Sequence, residues 1–234
     1  MIDDTSIERH NMSGGGVDKS VLNSQQPHWE DMYIAHPDMF GKEPSYPARY
    51  AAEVFSKAGA KKILELGSGQ GRDTLFFVRH GFEVYALDYS EKGLSALQKK
   101  ADALRGPGSA ITVYHDVRLS LPFDDNSLDG CYSHMLYCMA LTTPELEFLS
   151  QEVRRVLKPG GMNVYTVRNT ADPHYRTGID RGDDMWEITG GFIVHFFSRD
   201  TVEWLAKGYE IMNVEDFEET GLPKRLFLVT LKKT

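Results

Sequence analysis

The stretch Lys61-Lys62-Ile63-Leu64-Glu65-Leu66-Gly67-Ser68-Gly69-Gln70-Gly71-Arg72-Asp73-Thr74 constrains the fold more than any other part of the chain. An aliphatic run with no helical period reads as a buried strand. It stops at three glycines spaced two apart, and an amphipathic helix follows. Glycine is needed where the backbone takes dihedrals that a Cβ forbids, or where a ligand approaches the main chain. The helix N-terminus behind the turn presents free N–H groups to whatever sits there. The spacing narrows the ligand, because a dinucleotide fold requires Gly-x-Gly-x-x-Gly and the third position falls on Arg72.

A chain of 234 residues fits one sizeable α/β domain. Its 41% hydrophobic and 26% charged residues are ordinary for a globular protein, and a formal charge of -8 argues against a nucleic-acid partner. The two cysteines, Cys131 and Cys138, have no CxxC spacing, so neither a disulfide framework nor a metal site is expected. With no transmembrane-length apolar run and no signal-like segment, the expected location is the cytoplasm, with no membrane partner. No sequence feature specifies an oligomeric state. Residues 1–26 read as a flexible lead-in and 27–234 as a single domain. Within that domain, 27–59 is expected to form an N-terminal helical cover and 168–197 a long acceptor-side loop.

Strand and helix patterns alternate along the domain. Ser45 before Tyr46-Pro47 caps one helix and Ser90 another, and strands are expected at 82–87, 110–115, 128–133 and 162–167. That order implies right-handed crossovers and a parallel sheet with helices on both faces. The ending differs: the segments 209–217 and 224–231 are joined by a link, Glu218 to Pro223, too short for a crossover helix, so they should pair antiparallel. The predicted fold class is α/β, a doubly wound, seven-stranded, mostly parallel sheet with a C-terminal antiparallel hairpin.

The pattern Glu65-x-Gly67-x-Gly69-x-Gly71, with Asp88 ending the second strand and Asp116 after the third, resembles the class I S-adenosylmethionine-dependent methyltransferases. The resemblance spans roughly Lys61 to Val167 and implies a Rossmann-like fold with S-adenosyl-L-methionine as cofactor and S-adenosyl-L-homocysteine as product. It implies that Glu65 faces the methionine ammonium, that Gly67, Ser68, Gly69 and Gly71 leave room for the cofactor, and that Asp88 takes the ribose hydroxyls. Tyr89 would lie on the adenine, while Asp116 and the Val117 N–H would read its edge. Ser133 and the aromatic side chains Trp29, Tyr33 and Tyr46 complete the expected cofactor set. The segments Gly69-Gln70-Gly71-Arg72-Asp73 and His195-Phe196-Phe197-Ser198-Arg199 look similar to the tellurite-resistance and thiopurine-type small-molecule enzymes.

Methyl transfer from a sulfonium is an in-line displacement that needs alignment, exclusion of water and removal of a proton where the acceptor starts protonated. His134, at the end of the fourth strand, reads either as a base or as a structural histidine. Arg168, His174 and Tyr175, with Arg176 and Arg181, read either as a clamp on a polar or anionic acceptor or as a solvated charged loop. Three readings follow: a methyltransferase of a small molecule, a tellurite or selenite methyltransferase, or a non-catalytic cofactor-binding module that supports a partner.

Overall fold

The computed structural model describes residues 17–219 and 224–234. Its elements run α1 (Lys19–Asn23), α2 (Gln25–Ala35), α3 (Tyr46–Lys57), β1 (Lys62–Leu66), α4 (Arg72–Arg79), β2 (Glu83–Asp88), α5 (Glu91–Ala103), β3 (Ser109–Tyr114) and β4 (Leu128–His134). Then follow α6 (Thr143–Val156), β5 (Leu157–Arg168), β6 (Ile179–Gly182), β7 (Met185–Glu187), β8 (Ile193–His195), α7 (Arg199–Leu205), β9 (Tyr209–Glu219) and β10 (Lys224–Lys233). One seven-stranded sheet has the order β3-β2-β1-β4-β5-β10-β9. β3, β2, β1, β4 and β5 pair parallel, and β10 runs antiparallel to both β5 and β9. This is the doubly wound arrangement with an antiparallel end that the sequence predicts.

Both sheet faces are covered, which is why the central strands are apolar without alternation. On one face Ala48, Ala51 and Phe55 of α3 and Phe77 of α4 pack on Ile63, Val84 and Tyr132. On the other, Leu146, Leu149 and Val153 of α6 and Val202 and Leu205 of α7 pack on Leu64, Cys131 and Tyr165. Local signals fix the helix starts: Ser45 accepts from the Ala48 N–H, Ser90 from the Gly93 N–H, and Thr142 with Glu145 forms a reciprocal capping box.

Two boundaries are corrected. The lead-in does not extend to residue 26: Asp18 caps α1, and Leu22 is buried with Met185 and Ile193. Its apolar partners lie some 160 residues away, so no local stripe announces the helix. Residues 1–16 of the expected lead-in, and positions 220–223 of the expected hairpin link, lie outside the described residues. The segment 168–197 is not a plain loop but carries the three-stranded antiparallel sheet β6–β7–β8. Asp183 and Asp184 form its first turn at φ 58° and 55°, the positive-φ pair that a two-residue hairpin demands, supplied by Asp-Asp rather than Asn-Gly.

Candidate functional site

A cavity of about 370 Å³ follows the C-terminal edge of the sheet, from Asp116 beyond β3, past Asp88 and Glu65, to His134 and the ends of β9 and β10. Ligands of open α/β sheets bind along this edge. At its middle stands the glycine turn, where Gly67 and Ser68 donate their N–H groups to the Leu87 carbonyl at 2.9 and 3.1 Å. Gly67 and Gly69 have φ of 74° and 50°, and a Cβ on them would come within 2.9 Å of Leu136 Cδ1 and 2.7 Å of Tyr33 Oη. Both positive φ and crowding therefore demand glycine.

Two buried carboxylates flank the turn. Asp88 accepts from the Gly69 N–H at 2.7 Å and the Ser90 N–H at 2.8 Å. Burial pushes its carboxyl up to about 6 against the pull of those hydrogen bonds. Glu65 accepts from the Thr74 hydroxyl at 2.5 Å and has no ion pair with a cation among the described residues. Burial, then the charge of nearby Asp73, pushes Glu65 up to about 8. The Ser68 hydroxyl is buried with no hydrogen-bond partner among the described residues.

The cover over the turn is α2 and the loop after it. Glu30 accepts from the N–H groups of Glu91 and Lys92 at the start of α5, at 2.6 and 3.1 Å, and Gln26 donates to the Tyr89 carbonyl at 2.8 Å. Gln70, reaching out of the turn, donates to the carbonyls of Tyr33 (3.2 Å) and His36 (3.1 Å) and accepts from the Met39 N–H (2.9 Å). Trp29 lies 5.5 Å from Tyr33 and 4.8 Å from Phe192, measured between ring centres.

At the far end Arg72 forks onto Asp73, with distances of 3.0 and 3.2 Å. Ser45 and Tyr132 also donate to this carboxylate. Burial raises the Asp73 pKa, but Arg72, His134 and these hydrogen bonds outweigh it and hold the group below the usual carboxylate range. His134 stands between Thr166 and Glu219.

Of the residues singled out in the sequence, Glu65, Gly67, Ser68, Gly69, Asp88 and Tyr89 line the cavity, as do Asp116, Val117, Trp29, Tyr33 and His134. Asp116 is also paired with Arg118, whose Nη1 donates to Asn23 Oδ1 at 2.6 Å, so this carboxylate is tied to α1. The others stand apart. Gly71 turns toward Leu97 of α5, Ser133 is sealed inside β4, and the Tyr46 ring is exposed with its hydroxyl donating to Glu215. Arg168 is buried, forked onto Asp172 at 3.0 and 2.6 Å and seated over the Phe196 ring. It also hydrogen-bonds to His174, and Tyr175 donates to Asp184. The expected acceptor clamp is therefore a bracket that folds its own segment, since Asp172 sits four residues from Arg168 and satisfies it internally. Sequence reasoning missed Leu22 and Asn23, hidden in the supposed lead-in, Glu219, placed in the hairpin link rather than on β9, and Lys224, read only as the start of the last strand. The adjacent charges Arg72-Asp73 at the helix start were a signal that could have marked the far wall.

A protein-family model described as "Methyltransferase domain" matches residues 63–161. The 24-methylenesterol C-methyltransferase 2 of Arabidopsis thaliana is 31% identical over 174 residues, covering 67% of this chain and 46% of that protein. An uncharacterised methyltransferase of Mycobacterium tuberculosis is 32% identical over 147 residues, covering 63% and 54%. The chain thus spans about half the length of the curated relatives it matches. Among solved structures, a 1,6-didemethyltoxoflavin-N1-methyltransferase of Burkholderia thailandensis, with 1,6-didemethyltoxoflavin and S-adenosylhomocysteine bound, superposes with a TM-score of 0.69 at 17% identity, covering 92% of this chain and 88% of that one. Residues 63–161 thus match a methyltransferase domain, and the sheet that carries them has the fold of the methyltransferase structure it superposes on.

Proposed function

We propose that the protein binds S-adenosylmethionine along the sheet edge and methylates a small-molecule acceptor. The observation that carries this reading is a pair of buried carboxylates, Glu65 and Asp88, that open on one cavity from adjacent strands without a cation on either. A buried carboxylate needs a donor or a cation. The cofactor brings both kinds of group: Glu65 would hold its ammonium, Asp88 its ribose hydroxyls, and Asp116 with the Val117 N–H its adenine. When bound it supplies an electrophilic methyl on a sulfonium. The chain's own residues orient the partners and exclude water beneath Trp29, Tyr33 and Phe40.

The tellurite or selenite reading loses two of the arginines it rested on, since Arg168 is bound to Asp172 and Arg181 to Glu187. A purely non-catalytic module would have no use for a cavity that continues past the glycine turn to His134 and Glu219. A cytoplasmic location and the absence of a nucleic-acid partner belong to the proposal as well, the latter supported by the charge of -8. No helix among the described residues is long and apolar enough to cross a membrane.

Calorimetric titration with S-adenosylmethionine, S-adenosylhomocysteine and NAD tests the reading. Micromolar binding of the first two alone is expected, and Asp88→Ala should lower their affinity by about 100-fold, the cost of losing a charged hydrogen-bond acceptor. Binding of NAD instead, or unchanged affinity in Asp88→Ala, would refute it.

A further inference from the structure

The far end of the cavity holds a carboxylate that cofactor binding does not use. Glu219 ends β9 with Oε1 3.1 Å from His134 Nε2, while Nδ1 of that ring stands 2.8 Å from Thr166 Oγ1. Thr166 Oγ1 already accepts the Met135 N–H at 3.0 Å, so its own hydrogen is available to Nδ1, and the ring proton on Nε2 then donates to Glu219. Both imidazole nitrogens are thereby engaged, and the ring offers neither to a ligand. Glu219 Oε2 is different. It is shielded from solvent and has no hydrogen-bond partner among the described residues; Lys224 Nζ, at 3.8 Å, is within ion-pair range but beyond hydrogen-bond reach. Such an oxygen lacks a donor.

The charges around it restrict what can supply one. Arg72 is paired with Asp73, Lys100 with Asp38, Arg118 with Asp116 and Lys224 with Glu219, so every Lys and Arg among the described lining residues already faces a carboxylate. An anionic acceptor would meet no spare cation and would approach Glu219 against its charge. The rest of this end is apolar, with Met39, Phe40, Met135 and Met139 along the wall.

We propose that Glu219 is the catalytic residue that receives first the hydrogen bond and then the proton of the acceptor's reacting group. The acceptor is accordingly a neutral, largely apolar molecule that presents a hydroxyl or an N–H. This inference rests on the methyltransferase reading above. In the step, the acceptor's oxygen or nitrogen bonds to the methyl carbon as the carbon–sulfur bond breaks with its electron pair kept on sulfur. The acceptor's proton passes to Glu219 Oε2 and is lost to water after the product leaves. His134, braced by Thr166, is a positioning residue that holds the carboxylate in place.

The test uses the full chain loaded with S-adenosylhomocysteine, titrated calorimetrically with para-cresol and with para-toluate, which differ in charge at similar size. Binding of the phenol and not of the carboxylate is expected. With S-adenosylmethionine, Glu219→Gln should lower turnover of para-cresol by about 100-fold, as loss of a general base does. It should spare para-thiocresol, which ionises unaided near neutral pH, and leave the affinity for S-adenosylhomocysteine unchanged. Tighter binding of para-toluate, no binding or turnover of para-cresol by cofactor-competent protein, or equal loss with both nucleophiles would overturn the assignment. Failure to bind S-adenosylhomocysteine at all would instead sink the methyltransferase reading.

Discussion

At the scale of single residues, Glu65 is where burial and function oppose each other. Its carboxyl, ordinarily near 4.5, is pushed up to about 8 by desolvation and by Asp73, so at neutral pH the ligand-free protein holds it mostly protonated. The sign follows from linkage. The folded state binds the extra proton, so the stability tied to Glu65 is fully present below pH 4.5 and is lost progressively as the pH rises toward 8. A cationic ligand reverses this by favouring the carboxylate. Binding of S-adenosylmethionine at pH 6.5 should therefore release about one proton, read as the dependence of the observed enthalpy on the buffer's ionisation enthalpy. Glu65→Gln should abolish the release and flatten the fall of Tm over the same pH window. An enthalpy independent of buffer in the wild-type protein would show that no ammonium meets this carboxyl.

At the scale of elements, the cover depends on one side chain from the turn it covers. Gln70 is buried and engages Tyr33, His36 and Met39 by three hydrogen bonds, so the end of α2 and the loop that carries Phe40 are positioned by the glycine turn itself. Gln70→Ala leaves those main-chain groups without partners at about 1 kcal/mol each. We expect roughly tenfold weaker cofactor binding, since part of that loss falls on cover docking, and faster hydrogen exchange at the Met39 amide. Unchanged exchange across 33–41 would show that Glu30 and Gln26 hold the cover without it. This latch also marks what the sequence disclosed and what it did not. The strands, their ends near Glu65 and Asp88, and helices capped by Ser45 and Ser90 were legible because each signal is local. The short α1, the small sheet β6–β8 and the pairing of Glu219 with His134 were not, because contacts between distant parts of the chain create them. Arg168 misled for a related reason: a strand-end arginine invites a ligand, and only the turn that brings Asp172 back onto it reveals the ion pair.

At the scale of the whole molecule, the two parts that flank the cavity are joined to each other as well as to the sheet. Gln25 of α2 donates to the Gly191 carbonyl at 3.0 Å and accepts from the Ile193 N–H at 3.1 Å. Phe192 packs on His28 and Trp29 at 4.5 and 4.8 Å between ring centres, and Leu22 is buried with Met185 and Ile193. The segment between β5 and α7 thus clasps the N-terminal helices from above, while Glu30 and Gln70 fasten them from below. An element held mainly by a few contacts at its rim opens more readily than the sheet it covers. Phe192→Ala removes the aromatic part of the clasp and leaves both buried faces of the sheet untouched. Amides of 19–35 should then exchange faster, those of β1, β4 and β5 should keep their protection, and saturating S-adenosylhomocysteine should restore most of the difference, because a ligand beneath the cover binds only its closed form. Exchange that accelerates equally in helices and sheet would mean that the clasp is part of the global fold, and that the cavity opens only when the molecule unfolds.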